Sequence, residues 1–178
     1  AGVGSVPNIA LGEAAGLTID NGIACDATMR TSDPDIYASG DCCSFPHPLV
    51  EGKRLRLEAW RAAADQAAVA AENMLGGSRA YDAVPWFWSD QYELALQIAG
   101  FPSGGSADTV RRELKDGAYL EFEYAPDGRL IAASGVGRGN LIARDVRLAE
   151  MLIGKRAKPE RAALADPNVQ LRALLQAA

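Results

Sequence analysis

Basic residues, histidine and long apolar runs are all scarce in this chain of 178 residues. The sequence has no run of the roughly 18 uncharged apolar residues that a membrane-spanning helix requires, and its first residues do not resemble the basic start of a secretory leader. The net charge of −5 disfavours a general nucleic-acid binder, because phosphate backbones attract basic surfaces. We therefore expect a cytoplasmic protein with no membrane partner and no nucleic-acid partner.

The three cysteines, Cys25, Cys42 and Cys43, show neither a Cys-x-x-Cys pattern nor the spacing of zinc ligands. The adjacent pair, Cys42 and Cys43, is too close for an easy disulfide. We expect three small, buried side chains and no metal site, with redox or metal chemistry as the alternative.

The chain does contain enough apolar material for one good core or two small ones, since 48% of its residues are hydrophobic and 23% are charged. Short strand-like segments and one long helical pattern precede Gly76-Gly77-Ser78, whereas alternating strands and then short helices follow it. The sequence therefore predicts an α+β protein of two units, residues 1–77 and 78–178.

The most informative segment runs from Thr31 to Asp41. A turn at Asp33-Pro34 leads into Ile36 to Ser39, which we predict to be a short buried strand ending at Gly40. Because Gly40 has no Cβ, another molecule can approach the backbone closely there. The Asp41 carboxylate can accept hydrogen bonds from the hydroxyls of a sugar or ribityl chain. The segment therefore predicts a nucleotide site.

Two other patterns in the first unit concern its backbone. Gly2-Val3-Gly4 has no preceding strand and no third glycine at the fingerprint spacing, so we interpret it as a structural crossing point and not as a phosphate-binding turn. Leu17 to Asp26 predicts two short strands around the Asn21-Gly22 turn. We expect these strands to form a small β-meander that leads into the strand ending at Gly40.

A helix is predicted from Glu58 to Leu75, ended by Gly76-Gly77. Its first turn would offer backbone N–H groups and a positive dipole end, where an electron-rich ring edge could be held; the alternative is a plain packing helix. The small and apolar positions at helical spacing predict its buried face. They are Trp60, Ala63, Ala64, Ala67, Ala71 and Met74.

The only histidine, His47, lies in a loop broken by prolines. Because no second catalytic group lies at a recognisable spacing, we expect a surface residue and not a general base. The nearby Lys53, Arg54 and Arg56 are typical of a solvated loop, although they could also attract an acidic protein partner.

Alternating apolar residues in the second unit predict an antiparallel meander with turns at Asp116-Gly117 and Asp127-Gly128. Residues 140–153 carry the pattern of an amphipathic helix that covers one sheet face, and two short helices are expected near its end. Composition alone predicts that the aromatic run Trp86-Phe87-Trp88 packs in the core or at an interface.

Several sequence blocks together resemble one family. These blocks are the Thr31 to Asp41 segment, Gly2 to Leu17, Arg56-Leu57-Glu58-Ala59-Trp60 followed by Gln66-Ala67, and Val84-Pro85-Trp86-Phe87-Trp88-Ser89-Asp90-Gln91-Tyr92. In this order the chain resembles the FAD-dependent ferredoxin reductases of Rieske-type oxygenase and cytochrome P450 systems, members of the pyridine nucleotide-disulphide oxidoreductase superfamily.

The resemblance implies a flavoprotein that takes electrons from NAD(P)H and passes them through FAD to a [2Fe-2S] ferredoxin or a rubredoxin. It implies that Gly40 and Asp41 bind the ribityl region, that Trp60 contacts the flavin through its backbone, and that Trp88 lies beside the isoalloxazine ring. It implies no catalytic acid, base or nucleophile in the protein, and a homodimer is possible.

The family's two Gly-x-Gly-x-x-Gly turns are missing from this sequence. The resemblance therefore covers the closing segment of an FAD-binding α/β domain, 1–77, and a complete C-terminal α+β domain, 78–178, with Ala1 expected to be an internal break. Alone, the chain is expected to bind FAD weakly or not at all, because pyrophosphate recognition depends on such turns. The alternative function is a non-enzymatic dimerisation or partner-binding module.

Overall fold

A computed structural model describes residues 4–104 and 108–177. The chain forms two compact units, the first ending at Ala83 and the second beginning at Val84. The first unit extends beyond Gly77 because Tyr81 is buried in its core. Within the described ranges, none of the helices combines the length and the apolar character that crossing a bilayer requires.

From residue 4 to its end, the first unit contains two α-helices and three very short strands. In chain order they are α1 (Ala10–Ala14), β1 (Ile23–Ala24), β2 (Cys43–Pro46), β3 (Arg54–Leu55) and α2 (Trp60–Met74). β1 pairs with β2 in parallel, and β2 pairs with β3 in antiparallel orientation. The buried core beside this sheet consists of Cys25, Met29, Cys43, Phe45, Val69, Ala70 and Tyr81.

The predicted turn at Asn21-Gly22 is confirmed, since both residues have positive φ and an antiparallel bridge joins Ile19 to Ile23 across it. The predicted meander is wrong, because β1 continues into a parallel pairing with β2. The predicted strand at Ile36 to Ser39 is also wrong. Among the described residues this segment forms one isolated bridge, between Arg30 and Tyr37, so it is extended without a ladder.

The predicted buried face of α2 is wrong as well. The residues that α2 buries are Ala62, Gln66, Val69, Ala70 and Asn73, whereas the exposed ones include Trp60, Ala64, Ala67, Ala71 and Met74. Alanine occurs all around this helix, so apolar spacing does not select one face. Two buried amides lie on the true inner face and find partners there. The predicted helix end at Gly76 is confirmed by its φ of 92°.

The second unit is a five-stranded antiparallel sheet with helices. Its elements are β4 (Trp86–Gln91), β5 (Leu94–Gly100), β6 (Asp108–Glu113), β7 (Tyr119–Tyr124), β8 (Leu130–Arg138), α3 (Ala143–Gly154), α4 (Arg161–Ala165) and α5 (Leu171–Ala177). The strand order is β4-β5-β8-β7-β6, so β5 pairs with β8 instead of continuing a simple meander. The predicted α+β class is confirmed. The strand β4 was not predicted, because its aromatic residues were interpreted as core or interface packing.

The helix α3 covers one face of this sheet, as the sequence predicts, with Val146, Ala149, Leu152 and Ile153 buried. Glycines on β8 permit this close approach. A Cβ added at Gly135 would lie 3.1 Å from Val146 Cγ2, and one added at Gly137 would lie 3.1 Å from Cγ2 of Ile142, the N-cap residue of α3. Larger residues at either position would push the helix away from the strand.

Arg112 on β6 fixes the end of the chain. Its side chain is buried, and its guanidinium donates hydrogen bonds to the backbone carbonyls of Leu164, Asp166, Pro167 and Val169, at 2.7 to 3.2 Å. Its Nε lies 3.5 Å from the Asp145 carboxylate. One side chain therefore connects β6, α3 and the segment between α4 and α5.

We predict that Arg112→Leu lowers the free energy of unfolding by about 3 kcal/mol, because it leaves a half-buried carboxylate and several carbonyls without their donor. Urea denaturation followed by circular dichroism measures the change. The matched control is Arg111→Leu, which removes an arginine that pairs with Glu113 and Glu121 at the surface and should cost much less. Equal effects of the two substitutions would contradict this account of Arg112.

Candidate functional site

The predicted nucleotide site is a tight turn packed on α2. Gly40–Cys42 form one turn of 3-10 helix, and Gly40 has a φ of 79°, which favours glycine. The Gly40 N–H donates to the side-chain Oε1 of Gln66 at 2.7 Å, and a Cβ at position 40 would lie 3.4 Å from the Ala63 Cβ. We call residues 40–42 the Gly40 turn.

The N-terminus of α2 lacks both a side-chain cap and an acidic side chain in its first turn. The helix begins at Trp60, and its N-cap residue, Ala59, provides no side-chain cap. The first turn also carries no acidic side chain, so the positive end of the helix dipole is not compensated within the helix. The Trp60 side chain is 75% exposed. Gly40, Asp41 and the start of α2 are therefore brought together within the first unit.

Asp41 itself is exposed, and its backbone is held from a second side. Arg56 Nη1 donates to the Asp41 carbonyl at 3.3 Å and also pairs with the Glu58 carboxylate. Hydrogen bonds from Ser5 and Arg56 lower the pKa of Glu58. The backbone that carries the Asp41 carboxylate is thus held at the Gly40 N–H, one residue before it, and at its own carbonyl.

The expectation of a solvated basic loop is wrong for Arg56, whose side chain is only 13% exposed. Arg54 is exposed, but its Nη1 donates to the carbonyls of Cys25 and Ser44, at 2.9 and 2.7 Å. Arg54 therefore holds the β1–β2 region, and Arg56 holds the Gly40 turn. Lys53 is exposed.

Trp88 lies in the second unit, on β4. Its ring stacks on the ring of Trp86 with centroids 5.2 Å apart and an interplanar angle of 24°. The Trp88 side chain is 39% exposed, so a stacked pair of indoles presents part of its surface outward. Phe87, between them in sequence, lies on the opposite face of the sheet because side chains alternate along a strand.

His47 is buried, and the prediction of a surface residue is wrong. Its Nδ1 accepts a hydrogen bond from the Leu49 N–H, and its Nε2 lies 3.1 Å from the Ala83 carbonyl, which assigns the ring proton to Nε2. The ring packs edge-on against Phe45 and Tyr81. Burial lowers the pKa of His47 and raises that of Tyr81 to about 12, so both remain neutral.

Two of the three cysteines are small core residues. Cys25 and Cys43 are buried, whereas Cys42 is half-buried, so the expectation of three buried side chains is wrong for Cys42. All three are free thiols. The neighbouring Cys25 thiol and burial both raise the pKa of the Cys43 thiol far above its ordinary value, which makes it unreactive. No cluster of three histidine, cysteine or carboxylate side chains suited to a metal occurs in the part of the chain that the structure describes.

Sequence reasoning missed the residues that hold the site in place. Gln66 was noted only as part of a family block, and Arg54 only as a loop cation, yet each bonds a segment distant in sequence. The available signal for Gln66 was an uncharged polar residue in an alanine-rich stretch of helix, next to Asp65. Such a residue, if buried, must have a hydrogen-bond partner.

Comparison with known protein families shows which family the chain belongs to. Residues 86–175 match the family model described as reductase C-terminal. The chain belongs to the reductase C-terminal family. Residues 1–67 match the model of the pyridine nucleotide-disulphide oxidoreductases, so the two matches follow each other along the chain.

Known reductases of this kind are similar over nearly the whole chain. The ferredoxin–NAD(+) reductase component of the anthranilate 1,2-dioxygenase system from Burkholderia cepacia is 42% identical over 98% of the chain and 42% of its own length. Rhodocoxin reductase from Rhodococcus erythropolis is 40% identical over 96% of the chain and 39% of its own length. The chain thus spans about two fifths of the length of the curated relatives it matches.

Solved structures agree with the sequence comparison. The ferredoxin reductase of the CYP199A2 system from Rhodopseudomonas palustris superposes with a TM-score of 0.86 at 34% identity, covering 97% of this chain and 41% of that one. The covalent putidaredoxin reductase–putidaredoxin complex gives a TM-score of 0.86 at 34% identity, covering 98% of this chain and 40% of the other. The fold of the chain is therefore that of the reductases.

We predict that the chain loses stability as the pH falls below the ordinary histidine pKa of 6.5. The folded state keeps His47 neutral at pH values where the unfolded state already binds a proton, so stability is full above 6.5 and declines below it. Urea unfolding at about pH 7.5 and about pH 5.5 measures the loss. In His47→Gln the difference between the two pH values should shrink, and an unchanged difference would contradict the assignment.

Proposed function

We propose that the chain is the C-terminal part of an FAD-dependent NAD(P)H:ferredoxin oxidoreductase. In this proposal residues 1–77 complete an FAD-binding domain and residues 78–178 form the reductase C-terminal domain. The whole protein passes electrons from NAD(P)H through FAD to a [2Fe-2S] ferredoxin or a rubredoxin that serves an oxygenase or a cytochrome P450.

The observation that carries the proposal is the Gly40 turn packed beside the uncapped start of α2. The turn presents an exposed carboxylate at Asp41, which suits the hydroxyl groups of a ribityl chain. The helix end presents a positive dipole without a side-chain cap, which suits the electron-rich edge of a flavin. The residues present therefore fit the cofactor that the family match suggests.

Four residues are assigned to FAD in this proposal. Gly40 allows the cofactor to approach the backbone, and Asp41 accepts hydrogen bonds from its ribityl hydroxyls. Trp60 contributes the backbone at the start of α2. Trp88, stacked on Trp86, contributes an indole face for the flavin ring.

When bound, FAD accepts a hydride from nicotinamide and releases electrons singly to an iron–sulfur protein. The residues of this chain bind, orient and exclude water, and no acid, base or nucleophile among them is required. His47 and Cys43 are buried and neutral, so neither is available for proton transfer. This is consistent with a reaction in which the protein supplies no acid or base.

The names of similar proteins support a ferredoxin as the partner. One relative is a ferredoxin–NAD(+) reductase component, and one similar structure is a reductase bound covalently to putidaredoxin. A rubredoxin acceptor and a homodimer are further parts of the proposal. We also propose a cytoplasmic location, which suits a protein with three free thiols.

We predict that the full-length gene product is yellow, with flavin absorbance near 450 nm, and that the 178-residue chain alone is almost colourless because its sequence lacks the Gly-x-Gly-x-x-Gly turns that bind a pyrophosphate. An absorbance scan after gel filtration of both proteins tests this. A colourless full-length product would favour the alternative of a non-enzymatic dimerisation or partner-binding module.

We predict that Asp41→Ala weakens FAD binding by the full-length protein about 10-fold, because it removes a charged hydrogen-bond acceptor. Titration of the FAD-free protein with FAD gives the dissociation constant. The control is Asp35→Ala, which removes another exposed carboxylate of the same segment, one that lies outside the Gly40 turn. If both variants bind FAD equally well, Asp41 is not a ligand of the ribityl chain.

We predict that Trp88→Leu increases the fluorescence of bound flavin, because an indole stacked beside the ring quenches its emission. Phe87→Leu is the control, since Phe87 lies on the opposite face of the same strand and is also exposed. Emission spectra at equal flavin occupancy make the comparison. A rise in the Phe87 variant alone would place the flavin on the other sheet face.

A further inference from the structure

Gln66 is a fully buried amide on α2 that joins this helix to the candidate site. It shows no exposure to solvent, and its Oε1 accepts hydrogen bonds from the Gly40 N–H at 2.7 Å and from the Cys43 thiol at 3.4 Å. Buried amides in helices are uncommon unless they satisfy another buried polar group. Here that group is a backbone N–H far away in sequence.

The Gly40 N–H needs this partner because regular secondary structure does not supply one. Ser39 is extended, Gly40 starts a 3-10 turn, and the preceding residues form no ladder at this point. A buried N–H without an acceptor costs about 1–3 kcal/mol. Gln66 therefore selects the conformation in which the Gly40 turn is packed against α2.

The position of the Asp41 carboxylate follows from this contact. Its backbone is held on one side by Gln66, through the Gly40 N–H, and on the other by Arg56, through the Asp41 carbonyl. The turn also lies close to α2, with no room to spare beside Ala63 for a larger side chain at position 40. Removing the Gln66 carbonyl would free the turn on the side that faces the helix.

We infer that Gln66 is a positioning residue for the flavin site: its buried carbonyl fixes the Gly40 turn on α2 and thereby places the Asp41 carboxylate relative to the helix N-terminus. This inference rests on the proposed function. Gln66 itself, being buried, would touch no part of the cofactor.

The chain provides a matched control on the same face of the same helix. Asn73 is also a buried amide; it donates to the carbonyls of Thr28 and Arg79 and accepts from the Arg79 N–H, at 2.8 to 2.9 Å. It therefore supports the fold as Gln66 does, but makes no hydrogen bond to the Gly40 turn. Asn73→Leu and Gln66→Met each replace an amide by an apolar group of similar shape.

The experiment uses the full-length gene product and three variants, Gln66→Met, Gln66→Glu and Asn73→Leu. Hydrogen exchange of the Gly40 amide is measured in the FAD-free proteins, FAD affinity by titration, and stability by urea unfolding. We expect both apolar variants to lose stability. Only Gln66→Met should speed Gly40 exchange and weaken FAD binding, each about 10-fold. Gln66→Glu, which keeps an acceptor oxygen, should restore much of both.

The outcomes separate this inference from the proposed function. If the wild-type protein binds no FAD, the proposed function fails. If it binds FAD and Asn73→Leu weakens binding as much as Gln66→Met, the role of Gln66 is only structural and the inference is overturned. Unchanged Gly40 exchange or unchanged affinity in Gln66→Met overturns it as well.

Discussion

The hydrogen bond from the Gly40 amide to Gln66 is the contact on which the arrangement of the candidate site depends. It joins residues 26 positions apart, at a point where the chain has left one extended segment and has not yet entered β2. The backbone angle φ at position 40 favours glycine. The buried N–H of that residue requires a hydrogen-bond acceptor, which regular secondary structure does not supply. With both in place, the acidic side chain that follows is presented outward while its backbone stays fixed.

In the second unit, too, a buried polar side chain, that of Arg112, holds an irregular segment of backbone. The connection between α4 and α5 has no sheet to bind its carbonyls, and the Arg112 guanidinium supplies donors to three of them and to the Leu164 carbonyl in α4. The fixed fork of arginine suits this role better than the single ammonium of lysine. In both units a buried polar side chain from a regular element holds an irregular segment, whose own backbone groups would otherwise lack partners.

The sequence predicted correctly those features that depend on residues close together in the chain. The turn at Asn21-Gly22, the helix end at Gly76 and the amphipathic α3 all depend on neighbours within a few positions. The burial of His47 did not follow, because it depends on the Ala83 carbonyl far along the chain. The inner face of α2 was missed because alanine gives little contrast between faces, and its true face is marked by amides whose partners lie elsewhere in the sequence. The assignment of Asp41, Trp60 and Trp88 to FAD came from resemblance and stays a prediction.

The strand order of the second unit also bears on its synthesis by the ribosome. β5 is made early, but one of its two sheet neighbours, β8, is made after β6 and β7. While β6 and β7 are being translated, β4 and β5 form at most an isolated hairpin, and isolated hairpins are marginally stable in water. β8 also carries glycines under α3, so it gains much of its packing only once that helix has emerged. The nascent domain therefore exposes an incomplete sheet edge until nearly all of it has been translated, the stage at which such chains are most prone to aggregate.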